Sequence, residues 1–291
     1  MQSFKMLFNG FTLELGRKKT CIMGILNTTP DSFSDGGRFN TFDSALDQGL
    51  KLVQDGAHIL DIGGESSRPF AEPVGEQEEL SRVIPVIKAL SKQIKVPISI
   101  DTVRASVAEA ALDAGASIIN DISALSRDPA MAELAAKRKV PVILMHMKGR
   151  PENMQNNPDY SDLMTEIRDY LAERAAFAME NGVERDKIIL DPGIGFGKTV
   201  EHNLIIIKQL EKIANLGFPV LMGPSRKSFI QKILARGEEI PASPDNTHIE
   251  YGTLAACASS VANGAHIVRV HDVEKAKAFF AIFDAVRRTK A

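Results

Sequence analysis

Eight short apolar runs punctuate this chain, and each ends at, or within a few residues of, a side chain that can hydrogen-bond or carry charge. They are residues 21–26 before Asn27, 57–60 before Asp61, 96–100 before Asp101, 117–119 before Asn120, 140–145 before His146, 188–190 before Asp191, 219–222 shortly before Ser225-Arg226-Lys227, and 266–270 before His271. Short apolar runs that alternate with helical patterns read as buried strands of a parallel sheet. A (β/α)8 barrel brings the polar strand ends to its C-terminal face, where active sites of this architecture sit. A doubly wound open sheet is the alternative, but eight units with polar residues after nearly every strand favour closure. The expected fold is therefore α/β, a (β/α)8 TIM barrel, with residues 1–291 forming a single domain. An N-terminal β-hairpin is expected as well: Asn9-Gly10 between two alternating apolar segments is a strong two-residue turn signal, and the hairpin could floor the barrel.

Helical periodicity predicts helices over residues 43–56, 76–90, 104–114, 161–181, 202–216, 249–262 and 273–288, with Pro85 marking a kink or the true start of the second. Residues 28–41, 63–75 and 149–160 read as long loops that follow strands, which makes them candidates for binding loops. A net charge of −2 with both signs mixed throughout argues against a nucleic-acid or membrane-surface field, so any anion site must be local. No apolar stretch is long enough to span a bilayer and the first eight residues do not read as a signal peptide, so a cytoplasmic enzyme is expected. Cys21 and Cys257 lack metal-ligand spacing and read as buried thiols.

Asp191-Pro-Gly-Ile-Gly-Phe-Gly-Lys198 fails the spacing of both a P-loop and a dinucleotide fingerprint. What remains is a strand-end carboxylate followed by a glycine-dense turn that lets a ligand approach the backbone. Asp101, Asn120 and Asp191 each end a separate strand. Any one of them alone is more often a helix cap or turn former. Together they suit a flat heterocycle with a mixed hydrogen-bonding edge, because carboxylates accept and an amide both donates and accepts. Arg269 and His271 alternate on the last strand, so they share a face, and Lys227 follows the seventh strand; these donors suit phosphate. Met145, Met147 and Met164 read as packing residues.

Taken together, the motifs resemble those of the dihydropteroate synthase family. The matching strings are Met23-Gly-Ile-Leu-Asn-Thr-Thr-Pro-Asp-Ser-Phe-Ser-Asp-Gly-Gly37, Asp61-Ile-Gly-Gly-Glu-Ser-Ser-Arg-Pro69, Ser99-Ile-Asp-Thr102, Ile119-Asn-Asp121, His146-Met-Lys-Gly149, Asp191 to Lys198, Ser225-Arg-Lys227 and Arg269-Val-His-Asp-Val273, in family order over nearly the whole chain. The resemblance implies a transferase that joins p-aminobenzoate to 6-hydroxymethyl-7,8-dihydropterin diphosphate, and it implies inhibition by sulfonamides and a homodimer. It also implies that Asp101, Asp191, Lys227 and Arg269 carry catalysis. By the same resemblance, Asn120, Met145 and Gly223 would join them around the pterin, and Asn27 would hold Mg²⁺ against the diphosphate. Arg68, Arg269 and His271 would contact phosphate oxygens, while Phe33, Ser67, Pro69, Phe196 and Ser225 would line the p-aminobenzoate slot.

Three departures accompany the match. Phe70 stands where the family usually has glycine and Ser67 where threonine is common, and residues 248–253 lack a basic pair often found there. A methyltransferase on the same barrel would have no use for the first two loops, Lys227 or the cationic rim. A non-catalytic pterin-binding paralogue would be expected to lose Asn27, Arg68, Lys227 or His271, and all four are present.

Overall fold

The computed structural model describes residues 2–16, 18–28, 38–65, 74–149, 154, 158–235 and 247–289. The chain opens with an antiparallel hairpin of β1 (Phe4–Phe8) and β2 (Phe11–Leu15). Its turn residues Asn9 and Gly10 both have positive φ, 46° and 79°, as a type I′ hairpin turn demands. There follow β3 (Cys21–Asn27), α1 (Arg38–Asp55), β4 (Ile59–Gly63), α2 (Glu76–Leu90), β5 (Ile98–Asp101), α3 (Ala105–Ala114), β6 (Ile118–Asp121), α4 (Ala130–Arg138) and β7 (Val142–Met145). The remainder comprises α5 (Leu163–Glu180), β8 (Ile188–Asp191), α6 (Val200–Lys208), α7 (Glu211–Ala214), β9 (Leu221–Met222), α8 (Ser228–Ala235), α9 (Thr247–Ala262), β10 (Ile267–Val270) and α10 (Val273–Arg288).

Eight parallel strands pair in the order β8-β7-β6-β5-β4-β3-β10-β9. A parallel bridge between Leu190 and Val220, with the Leu190 N–H donating to the Pro219 carbonyl at 2.9 Å, brings β8 against β9 and closes the ring. The expected TIM barrel is thus the fold observed.

Pleating then sorts the side chains. Cys21, Met23, Ile59, Ile118, Ile143, Ile189, Leu221 and Ile267 face inward near the strand starts and pack with Met6, Phe8, Leu13 and Leu15 of the hairpin. The hairpin therefore floors the barrel. Alternate residues such as Ile22, Leu60, Ile62, Ile100, Ile119, Val142, Leu190 and Val268 join the second, larger cluster beneath the helices. Two residues beyond the inward apolar layer stand Asp61, Asn120, Met145, Asp191 and Arg269. A polar mouth above an apolar floor follows directly from a period of two.

Several boundaries differ from the sequence reading. β4 continues to Gly63 because Ile62 and Gly63 pair with both flanking strands, so Asp61 lies in mid-strand rather than after it. Helices α4 and α8, neither foreseen, are short. The pattern over 202–216 resolves into α6, started by a Thr199–His202 capping box, and the single turn of α7. α2 starts at Glu76 and continues across Pro85, which is therefore not its start, burying Val83, Val86, Ile87 and Leu90. A mid-helix proline costs about 3 kcal/mol, but each large apolar side chain buried contributes roughly 1.5–3. No helix of the described residues is long and apolar enough to cross a membrane.

Because Leu15 is 1% exposed in the floor whereas Leu7 is 55% exposed on the opposite hairpin face, truncation should separate them. Leu15→Ala is expected to lower unfolding free energy by about 3 kcal/mol in urea, and Leu7→Ala by under about 0.5. Equal losses would mean that the hairpin does not plug the barrel.

Candidate active site

The centre of the barrel mouth is a guanidinium. Arg269 of β10 donates from Nε to Asp61 Oδ2 on β4 at 2.6 Å, and from Nη2 to Asp101 Oδ2 at the end of β5 at 2.8 Å. Asn120 of β6 donates its amide to the same Asp61 oxygen at 3.1 Å. Four strands thus converge on one charge network. Asp61 is fully buried, and its Oδ1 has no partner among the described residues. Burial works against the charge on Arg269, yet Asp61 and Asp101 outweigh it and raise its pKa.

The carboxylates respond in the opposite sense. Burial pushes Asp101 up to about 7 despite the pull of Arg269, and the negative charges of Asp61 and Glu79 add to the rise. Burial also pushes Asp191, at the end of β8, up to about 6. There the Gly193 N–H, donating to Oδ1 at 2.7 Å, and the cations Lys198, Lys227 and Arg269 oppose the shift. Both groups are therefore acceptors poised near neutrality in a site lined by cations.

On the other side of the mouth, Lys227 Nζ lies 3.9 Å from the centroid of the Phe196 ring, a cation–π contact. Gly195 clears the lysine stem, since a Cβ there would come within 2.9 Å of Lys227 Cδ. Ser225 Oγ lies 2.9 Å from His271 Nδ1 and accepts from the His271 backbone N–H at 3.2 Å, which couples the exits of β9 and β10. Arg226, between Ser225 and Lys227, has φ 58° and bonds to Glu250 and Thr253 of α9, so it serves the helix layer. The departure over residues 248–253 accordingly falls in α9.

The remaining expected residues have plain positions. Asn27 is half-buried at the end of β3, level with Gly63. Met145 packs with Met154 and Phe196, which joins the packing role to a place at the mouth. Gly223 stands beside Arg269, where a Cβ would lie 3.7 Å from Arg269 Cβ. Phe33, Ser67, Arg68, Pro69 and Phe70 lie outside the described residues.

Two groups, Arg104 and Lys198, were given no role by the sequence reading, and a third, Asp61, was read only as a strand end. Asp61 organises Arg269 and Asn120, and its signal was the spacing of two from Ile59. Arg104 bonds to Glu65 at 2.7 Å, to the Val74 carbonyl at 2.7 Å and to buried Glu79, joining the two described ends of the 63–75 connection. Lys198 is buried against His146. Nothing local in the sequence announces the last two, because their side-chain partners Glu65, Glu79 and His146 lie far along the chain.

Comparison with known proteins accords with this geometry. The model of the family described as pterin binding enzyme matches residues 23–271. A dihydropteroate synthase of Synechocystis sp. is 51% identical over 279 residues, spanning 96% of this chain and 94% of that protein. The crystal structure of Yersinia pestis dihydropteroate synthase with a sulfonamide drug complex superposes with a TM-score of 0.89 at 41% identity, covering 99% of this chain and all of that one. The structure of Xanthomonas albilineans dihydropteroate synthase with 4-aminobenzoic acid also gives 0.89, at 39% identity, over 99% of this chain and 100% of that one.

Proposed function

The chain belongs to the dihydropteroate synthases within the pterin-binding enzyme family, and on that premise we propose that it condenses p-aminobenzoate with 6-hydroxymethyl-7,8-dihydropterin diphosphate. The products are dihydropteroate and diphosphate. The observation that carries this reading is the convergence of Asp101, Asn120 and Asp191 from separate strands around Arg269.

In this reading Asp101, Asn120 and Asp191 meet the amidine-like edge of the pterin and Lys227 its carbonyl side. Arg269 stacks on the ring, with Met145 and Gly223 beside it. Arg68, Arg269 and His271 contact the diphosphate. Phe33, Ser67, Pro69, Phe196 and Ser225 line the slot for the aromatic amine. Mg²⁺ takes oxygen ligands and usually keeps water while sharing substrate phosphates. Asn27 offers one neutral oxygen, and no cluster of three or more His, Cys, Asp or Glu residues among those described could hold an ion by itself. That donor set fits an ion arriving with the diphosphate: Asn27 would help hold it, and when bound it would neutralise charge on the leaving group.

The methylene–oxygen bond breaks first, its electron pair leaving with diphosphate; the amine nitrogen then bonds to the cationic methylene and loses a proton. The electron-rich ring shares the positive charge at the methylene, and Asp191 as carboxylate supports it. The displacement is dissociative and forms no covalent enzyme intermediate; an adduct on Asp191 trapped during turnover would sink this version.

Five large apolar side chains, Leu204 on α6, Ile233 on α8, Tyr251 on α9, and Ile282 and Val286 on α10, are exposed on helices that pack around α9. This flank supports a homodimer. Light scattering should give twice the chain mass, and Tyr251→Asp with Ile282→Asp should shift it to the monomer; an unchanged mass would place the contact elsewhere.

The direct test is diphosphate release with Mg²⁺, with and without p-aminobenzoate, alongside detection of dihydropteroate. Release coupled to dihydropteroate is expected, and pterin binding without product would overturn the synthase reading. Binding should also move protons. Pterin N–H donors favour the ionised form of Asp101 and Asp191, which sit near 7 and 6 without ligand, so binding at pH 6.5 should release protons. Affinity should accordingly weaken as pH falls through that window. Asp191→Asn should weaken pterin binding roughly ten- to a hundredfold and reduce the release, as read by calorimetry in buffers of different ionisation enthalpy. Proton uptake on binding would contradict the assignment.

A further inference from the structure

One buried cation is assigned no substrate contact in the reaction just described. Lys198 closes the glycine-dense turn after β8 and is 3% exposed. Its Nζ donates to the Phe196 carbonyl at 2.9 Å and lies 3.1 Å from His146 Nδ1 and 3.4 Å from the His146 carbonyl. An ammonium carries three protons and no lone pair, so these three acceptors satisfy it. His146 must then accept at Nδ1 and keep its proton on Nε2, and burial together with Lys198 holds that ring neutral.

The rest of the turn is pressed onto the same neighbour. Gly193 and Gly197 have φ of 70° and 61°, and a Cβ on either would stand 1.9 Å from the His146 carbonyl oxygen or 2.4 Å from that of Lys148. Tyr160 donates its hydroxyl to the Gly197 carbonyl at 2.9 Å, and Tyr170 meets the His146 ring edge-on at 5.0 Å. Phe196 presents its ring to Lys227 and Met145, and its own carbonyl is the one that Lys198 grips.

We infer that Lys198 is a positioning residue for the aromatic amine: by tying the Phe196 main chain to the exit of β7, it sets the height of the aromatic wall of the amine slot. This rests on the slot assigned above. A space-filling apolar side chain would serve the fold without the desolvation of a buried ammonium. Burial pulls Lys198 down to about 7, with Asp191 opposing and Lys227 adding, so the charge there is held only in part at neutral pH and the contacts to Phe196 and His146 carry the positioning.

Steady-state kinetics with direct pterin binding test the inference on the full-length protein. Lys198→Met should raise KM for p-aminobenzoate about tenfold while leaving the Kd for 6-hydroxymethyl-7,8-dihydropterin diphosphate within about twofold. Lys198→Gln, which keeps two donors, should recover part of the loss and serves as the readable variant if the methionine form does not fold. An unchanged KM, or an equal loss of pterin affinity, would overturn the positioning role. Dihydropteroate formation by the wild-type protein is the reference, so failure of the synthase reading would show there, before any variant is compared.

Discussion

Pleating in a closed parallel sheet lets each strand turn only every second side chain toward the barrel axis, and both the core and the site follow from that constraint. The lower inward positions, Met23, Ile59, Ile118, Ile143, Ile189, Leu221 and Ile267, seal against the hairpin. The next positions up carry Asp61, Asn120, Asp191 and Arg269. A slip of one residue in β4, β5, β8 or β10 would send a charge into the helix layer and an aliphatic side chain into the mouth. Stability and function are therefore fixed by the same register, so the site rests on rigid strand ends and not on loops alone.

The electrostatics of the mouth are unbalanced in a useful direction. One guanidinium answers Asp61 and Asp101, while the second oxygen of Asp61 has no partner among the described residues. Burial raises Asp101 and Asp191 toward neutrality even though cations surround them. A ligand bringing several N–H donors relieves this more than water does, because the site is buried and its acceptors are already aimed. The carboxylates cluster around the axis and the histidine stands at the exit of β10, so an elongated substrate with a donor-rich head and an anionic tail has one favourable orientation.

The strand count, the closed barrel and the hairpin were legible because each rests on short-range pattern: apolar runs, polar ends and Asn9-Gly10. Asp101, Asn120 and Asp191 were legible for the same reason, being the polar ends themselves, and Arg269 was legible from its alternation with His271. Asp61 was placed after the strand because the apolar run 57–60 ends there, whereas pairing with β3 and β5 carries the strand on to Gly63. Helices α4 and α8 were missed because nine and eight residues give too few turns for a periodic signal. Lys198 was visible only as the end of a motif, since His146 and Tyr160 reach it from another loop. The roles of Phe33, Ser67, Arg68 and Pro69 rest on motif resemblance alone.

The last strand also shows where anionic charge can be met. A helix N-terminus beside His271 suggests phosphate binding by backbone N–H groups. Here Asp272 already caps α10, accepting from the Lys275 N–H at 2.9 Å, and its other oxygen holds the Lys275 ammonium at 2.6 Å. A carboxylate at that end answers the helix dipole itself and leaves little for a second anion. In the proposed reaction the diphosphate must therefore draw on side chains. His271 is the nearest in sequence, and Ser225 fixes its ring from the neighbouring strand exit. In that proposal the pair Ser225–His271 would turn strand register into control of the leaving group, as Asp61 would for the pterin end through Arg269.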